Sequence, residues 1–147
     1  MIVLDATTKS LVAYAEQNNV IAGALLVTIT YWSVDASNVW TPNSSETVVN
    51  SINASVTPGA TTTILSAPGA GSKKVVENVW FHVATSGMQD IQLILKDSAT
   101  EYPIGWFSDD IAQIPIRTIF TMSRDGSWIR QWPYIAGGEV TPTQNIR

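Results

Sequence analysis

The sequence predicts an all-β protein, an antiparallel, jelly-roll-like β-sandwich with extended N- and C-terminal segments. Short apolar and β-branched runs recur along the chain, and turn-forming residues separate them at short intervals, as in sandwiches and barrels. Charged residues make up only 14% of the chain, and much of the remaining polarity comes from serine, threonine and asparagine. This composition suits strands and turns better than surface helices. A length of 147 residues is enough for one core.

Two strands are predicted in the first third of the chain, over residues 11–15 and 24–32. A helix over residues 10–18 competes with the first strand, but the run of Gln17, Asn18 and Asn19 would end such a helix almost at once. The second strand alternates in polarity, and its more apolar face is expected to meet the core. That face carries Leu25, Val27, Ile29 and Tyr31.

The polar stretch that follows predicts a turn at residues 42–45 and a short strand over residues 46–52. A further strand is expected over residues 61–66. Residues 67–72 should form a loop, because their proline and glycines prevent a continuing strand ladder.

The clearest alternation runs from residue 74 to residue 85. Ser86 and Gly87 then predict a tight turn into a strand over residues 90–96, so that the two strands would form a hairpin. Both faces of the first strand carry bulky groups. One face is expected to hold Val75, Glu77, Val79, Phe81 and Val83, and the other Val76, Asn78, Trp80, His82 and Ala84.

Residues 97–110 are expected to form a long aromatic connection, followed by a strand over residues 111–122 that bends at Pro115. The Asp125-Gly126 pair predicts a hairpin into residues 128–131. Few apolar residues follow. We therefore expect one β-sandwich domain over residues 1–134 and an extended C-terminal arm over residues 135–147.

Charge and composition exclude several classes of function. The net charge of −4 and the few, scattered basic residues argue against a nucleic-acid partner. Cysteine is lacking, so neither disulfides nor thiolate metal sites can form. The N-terminus does not resemble a signal peptide, and no apolar run approaches the roughly 20 residues of a membrane span. We expect a soluble protein made in the cytosol, without a membrane partner.

The sequence shows no catalytic constellation. His82 is the single histidine and lies within a predicted strand, which favours a packing or hydrogen-bonding role. Asp109 and Asp110, with Asp97 and Glu101 nearby, offer an alternative as hydrolase carboxylates or calcium ligands. Adjacent strand residues point to opposite faces, however, so solvated turn residues are favoured. We predict no enzyme activity and no catalytic, cofactor-binding or metal-binding residue.

Six tryptophans are the most distinctive feature of the composition. Trp32 and Trp80 lie in strong strand patterns and are expected in the core. Trp40, Trp106 and Trp132 lie near predicted loops or strand ends, where exposed rings could stack on sugars. Tryptophan is also enriched at protein interfaces, which explains these three at least as well.

Several segments, taken in order, resemble small structural proteins of tailed bacteriophages. The likeness covers most of residues 2–130. It departs at residues 101–115, which are longer and more aromatic than the family pattern, and after Gln131. The segments are VLDATTKSL at residues 3–11, Tyr31 with Val34-Asp35, Ser66-Ala67-Pro68, KVVENV at residues 74–79, LILKD at residues 93–97 and DGSW at residues 125–128.

The resemblance implies a virion component made in the host cytoplasm, most simply a capsid decoration or cement protein. Its partners would be further copies of itself, for example in a trimer, and the major capsid protein. The alternative is a tail or fibre subunit that recognises a carbohydrate receptor. We expect partner contacts in the terminal segments and the aromatic connection, namely at Met1, Ile2, Val3, Tyr102, Trp106, Phe107, Trp132, Tyr134 and Ile146.

Overall fold

The computed structural model describes residues 1–17, 24–50, 61–83, 88–108, 119–122, 127–131 and 144–146. These residues form strands and the turns that join them, and none of them is helical, so the competing helix over residues 10–18 is wrong. The strands are β1 (Ile2–Leu4), β2 (Lys9–Gln17), β3 (Ala24–Val34), β4 (Trp40–Asn50), β5 (Thr62–Leu65), β6 (Lys73–Val83), β7 (Met88–Asp97), β8 (Thr100–Ser108), β9 (Ile119–Met122), β10 (Trp128–Gln131) and β11 (Gln144–Ile146).

The described strands form two antiparallel sheets that pack against each other, which confirms the predicted all-β sandwich. The larger sheet has seven strands in the order β11-β10-β9-β6-β3-β4, with β1 also paired to β6. The smaller sheet has four strands in the order β5-β2-β7-β8. Strands β4 and β8 are therefore each the last strand of their sheet in the described part of the chain.

The core lies between the two sheets. Strand β3 contributes Leu25, Val27 and Ile29, all buried, and Tyr31 packs against them, as the alternation predicts. Phe81 of β6 is the largest fully buried side chain among those that the structure describes. Strands β2 and β7 close the core from the other sheet with Leu11, Ala13, Ala15, Ile91 and Leu93.

A β-bulge in β6 changes which residues face the core. Thr30 pairs with Asn78 and the next residue, Tyr31, pairs with Val76, so Glu77 has no partner on β3. An extra residue of this kind reverses the alternation beyond it. Val76 therefore joins the buried core cluster, whereas Val75 lies on the outer face of the sheet. The predicted placement of Val75 and Val76 is wrong for this reason.

The hairpin predicted around Ser86 and Gly87 is also wrong, because β6 and β7 belong to different sheets. Val83 near the end of β6 and Ile91 near the start of β7 are both fully buried. The two strands thus contribute to the core from opposite sides. Residues 84–87 themselves lie outside the described part of the chain.

The turn predicted at residues 42–45 is wrong, since β4 runs without interruption through them and pairs with β3 along its length. The chain turns earlier, at residues 35–39, where Asp35 organises the backbone with its carboxylate. Pro42 is compatible with the strand because β4 lies at the edge of the sheet, where a missing backbone N–H need not break the ladder.

The long connection predicted over residues 97–110 is wrong as well, because β8 occupies most of it and pairs with β7. The two strands are joined tightly through Ser98 and Ala99, and Ser98 has a φ of 55°. Pro103 and Gly105 suggest a loop when read locally. An edge strand with a register shift opposite Leu93 and Ile94 accommodates both.

Other predictions near the ends of the chain are confirmed in part. Strands β9 and β10 pair as the Asp125-Gly126 hairpin requires, although the turn residues lie outside the described part. The loop of residues 67–72 is confirmed, since it separates β5 from β6. Of the strand expected over residues 111–122, residues 119–122 are described. Within the predicted C-terminal arm, residues 144–146 form β11 beside β10.

Candidate functional site

The first candidate surface is the β8 edge, which we define by Tyr102, Ile104 and Trp106. Their exposed fractions are 52%, 38% and 62%. All three side chains belong to β8, which pairs with β7 on one side and is the last strand of its sheet in the described residues. Ile104 is an extra residue with no partner on β7, so Tyr102 pairs with Leu95 on the core side of the sheet and Trp106 pairs with Gln92 on its outer side. The two rings thus lie on opposite faces of the strand, and a partner that covers this edge from both faces can bury both of them.

The hairpin that carries the β8 edge is fixed at its turn. The backbone N–H of Ser98 donates to the carbonyl of Thr8 over 3.0 Å, which attaches the turn to the start of the chain. Lys96 and Glu101 face each other across the two strands, with 3.3 Å between Nζ and Oε1. Such an exposed ion pair adds little stability. The turn is thus anchored mainly through its backbone.

The backbone of β8 is poorly suited to regular hydrogen bonding with a further strand. Pro103 has no N–H to donate, and the register shift beside it breaks the regular spacing of hydrogen bonds. Both features are known to protect sheet edges from uncontrolled strand addition. A partner at this edge would therefore be held chiefly by the aromatic and aliphatic side chains.

The second candidate surface is the tryptophan cleft, which we define by Trp32, Trp40, Val75 and Glu77. It lies on the outer face of the seven-stranded sheet and has a volume of about 260 Å³. The rings of Trp32 and Trp40 meet edge to face, with centroids 6.3 Å apart and planes at 62°. Trp40 remains 46% exposed. The cleft therefore offers an aromatic corner to solvent.

The turn between β3 and β4 positions Trp40. Asp35 Oδ1 accepts hydrogen bonds from the backbone N–H groups of Ser37 at 2.8 Å and Val39 at 2.9 Å. Asn38 adopts a φ of 63°, a left-handed conformation that asparagine tolerates better than most residues. Because Val34 pairs directly with Trp40, this turn determines the position of Trp40 on β4 relative to Trp32 on β3.

Charged groups lie beside the aromatic corner. The Lys73 ammonium is 5.6 Å from the centroid of the Trp40 ring, within the range of a cation–π interaction. Glu77 lines the cleft because it is the bulged residue of β6. Bulges commonly re-aim a side chain next to a functional site. The cleft thus combines apolar walls with one carboxylate.

The N-terminal residues predicted to bind a partner lie in the larger sheet. Met1 is exposed, whereas Ile2 and Val3 belong to β1 and pair with Val76 and Val75 of the same chain. Ile2 also packs against the core. The backbone of this segment is therefore engaged within its own chain.

The other predicted partner residues divide between described and undescribed parts. Tyr102 and Trp106 lie together on β8, not in a loop. Phe107 belongs to β8 and Ile146 to β11, but the structure describes only their backbone. Trp132 and Tyr134 lie outside the described residues.

The predicted core positions of Trp32 and Trp80 are wrong. Both are half-buried and lie on the outer face of the larger sheet, opposite the side that packs on the core. His82 is half-buried on the same face. The outer face therefore carries more aromatic surface than the sequence predicts.

The residues proposed for alternative chemistry do not assemble in the described part of the chain. Asp109 and Asp110 lie outside it, and Glu101 pairs with Lys96. No group of three or more His, Asp or Glu side chains arranged to hold a metal ion occurs among the described residues.

Trp32 and Glu77 are site residues that the sequence does not predict. A signal for the cleft exists in the segment between the two tryptophans, where Asp35 and Asn38 are typical turn residues. A hairpin turning there brings Trp32 and Trp40 to diagonal positions on one face. Glu77 gives no comparable signal, because its position depends on a bulge.

Comparisons with protein-family models, with curated proteins and with solved structures found no match to this chain. Among the described residues, no helix is long and apolar enough to cross a membrane.

Proposed function

We propose that the protein is a structural component of a tailed-phage virion, a decoration or cement protein that binds the assembled head and catalyses no reaction. The phage particle is suggested by the resemblance of residues 2–130 to small virion proteins. The binding role is supported chiefly by one observation, the exposure of Tyr102, Ile104 and Trp106 along a single edge strand. Its partners would be the major capsid protein and further copies of itself.

The β8 edge has the chemistry of a binding hot spot. Tyrosine and tryptophan dominate binding energy at protein interfaces, because each contributes a large apolar area together with a polar group that can find a partner. Removing one such side chain commonly costs about 2 kcal/mol or more of binding free energy. Two of the three residues at this edge are of these types.

Cementing then follows from mass action. A protein that binds the assembled shell, and not its separate subunits, stabilises the shell by an amount set by its concentration and affinity. Neither an active site nor a cofactor is needed for this role. The net charge of −4 also suits contact with a protein surface better than contact with packaged nucleic acid.

Binding to phage heads that lack this protein tests the proposal. The purified chain should co-sediment with such heads and protect them against thermal disruption. The Tyr102→Ala/Trp106→Ala variant should bind about thirtyfold more weakly or worse, which corresponds to about 2 kcal/mol. Light scattering on the free protein should show an oligomer.

Val48→Ala is the matched control, because Val48 is 57% exposed on the edge strand of the other sheet. It should bind heads as the unmodified protein does. Failure of the unmodified chain to bind heads would refute the proposal. Binding to purified tails instead would favour the tail or fibre subunit. Undiminished binding by the double variant would remove the β8 edge from the interface.

A further inference from the structure

We infer that the tryptophan cleft is a carbohydrate-binding site that takes one uncharged sugar ring. It lies on the outer face of the seven-stranded sheet, whereas the β8 edge belongs to the four-stranded sheet. The inference rests on the cleft alone and does not depend on the proposed virion role.

The aromatic corner matches the apolar side of a sugar. A pyranose ring presents C–H groups on its faces and hydroxyl groups around its rim, so its face stacks on flat indole rings. Trp40 supplies an exposed ring, Trp32 meets it at 62°, and the buried side chain of Val75 lies beside them. Two walls at this angle can contact a ring on its face and its edge together.

The volume limits the size of the ligand. A cavity of about 260 Å³ is smaller than the roughly 300–1,000 Å³ of sites for drug-sized molecules. One sugar ring, such as a terminal or branching residue of a longer glycan, suits this volume better than an enclosed oligosaccharide. For so small a ligand we expect a dissociation constant on the order of millimolar.

The charges beside the cleft favour a neutral, hydroxyl-rich guest. The Glu77 carboxylate accepts hydrogen bonds only, so it can receive them from the hydroxyl groups of a sugar, and it disfavours an anion. An aromatic corner could otherwise take a quaternary ammonium ion. Here the Lys73 ammonium already lies 5.6 Å from the Trp40 ring centroid, so its charge offsets the attraction that Glu77 would have for a second cation.

The cleft is also formed before any ligand arrives. The Asp35 turn holds the backbone next to Trp40, and the bulge directs Glu77 into the cleft. A backbone held in this way loses little conformational freedom on binding, which favours affinity for a small ligand.

A glycan array with the full-length protein identifies the ligand, and NMR titration with the corresponding methyl glycoside measures its affinity. We expect binding to a defined set of glycans. Trp40→Ala should weaken binding about tenfold or more, and Trp40→Phe should restore part of it by returning an aromatic face. Glu77→Gln, which keeps the shape of the side chain, should weaken binding severalfold.

Val48→Ala is the matched control, because Val48 is an exposed apolar residue on the same strand as Trp40 but does not line the cleft. It should bind sugar as the unmodified protein does. Absence of binding to any glycan would overturn the inference, as would binding that Trp40→Ala and Glu77→Gln leave unchanged. Titration with tetramethylammonium distinguishes the rival ligand, and saturable binding of this cation at the cleft would also overturn the inference.

Discussion

The β8 edge and the tryptophan cleft both present exposed tryptophan on the last strand of a sheet, but they support it differently. In the cleft, Trp40 contacts the Trp32 ring and the Lys73 ammonium, and a hydrogen-bonded turn fixes its backbone. Trp106 has no stacking partner among the described side chains, and more of its surface is exposed. A fixed corner suits a small rigid ligand, whereas an open edge needs a partner large enough to cover it.

Both surfaces depend on the same core, so a substitution in the core should have the largest effect and disrupt both of them. Phe81→Ala should lower the free energy of unfolding by about 3–5 kcal/mol, because it deletes a large and fully buried side chain. Urea denaturation followed by circular dichroism measures the loss. The exposed Ser44→Ala on β4 should change stability by about 0.5 kcal/mol or less. A Phe81→Ala variant as stable as Ser44→Ala would contradict the described core.

The Asp35 turn allows the cleft to be disturbed alone. Asp35→Ala removes the acceptor of two backbone N–H groups and should cost about 1–2 kcal/mol of stability. It should also weaken sugar binding while leaving head binding unchanged, whereas Asp35→Asn, which keeps an acceptor oxygen, should retain most of both. Urea denaturation and the two binding assays report the result. Equal loss of head binding would show that the surfaces are coupled.

A substitution in the turn before β8 should instead raise stability. Ser98 is a non-glycine residue at a φ of 55°, so Ser98→Gly should raise stability by up to about 1 kcal/mol. Ala99 does not have a positive φ, and Ala99→Gly should instead destabilise by about 0.5 kcal/mol through added freedom of the unfolded chain. Thermal unfolding compares the two variants. Two changes of the same sign would contradict the described turn.

A further expected effect depends on pH and concerns Tyr14, which lies in one cross-strand row with Gln92 and Trp106. Burial raises the pKa of Tyr14 to about 12, and the hydrogen bond that its hydroxyl donates to Glu16 over 2.7 Å acts in the same direction. Because this pKa is higher than the value of about 10 in the unfolded chain, the neutral phenol stabilises the fold below about pH 10.

That stabilisation should disappear as the pH rises from about 10 to about 12. Tyr14→Phe cannot ionise at this position, so the stability difference between the unmodified protein and the variant should shrink over this range. Urea denaturation at several alkaline pH values measures it, and the other titrating groups cancel in the comparison. A difference that stays constant with pH would refute the raised pKa.

Local patterns predicted the strands better than they predicted their partners. The alternation of Leu25, Val27 and Ile29 gave the buried face of β3, because side-chain period is a local property. The separation of β6 and β7 into different sheets is not predicted, because Ser86 and Gly87 favour a hairpin when they are considered locally. Sheet membership depends instead on which apolar faces meet across the core. Pro103 and Gly105 likewise predict a loop from local sequence, whereas the position of β8 as the last described strand of its sheet allows both residues within a strand.

The candidate site was predictable in part. Tyr102 and Trp106 are predicted to contact a partner from a loop, and the structure places both of them exposed on a strand. The partner contact itself stays a prediction. The sequence predicts Trp32 in the core because large apolar residues in strands are often buried. The outer face of a wide sheet also half-buries such residues, and one sequence does not distinguish the two cases. The role of Glu77 depends on pairing between β3 and β6, which composition and spacing do not contain.

The bulge at Glu77 has a consequence for protein engineering. The residues on both sides, Val76 and Asn78, pair with consecutive residues of β3, so the ladder would be regular without Glu77. A single-residue deletion there should therefore be tolerated, which is unusual for the interior of a strand. It would remove the carboxylate while every flanking side chain kept its face. Replacement of Glu77 by other residues would similarly introduce new functional groups into the cleft without redesign of the core.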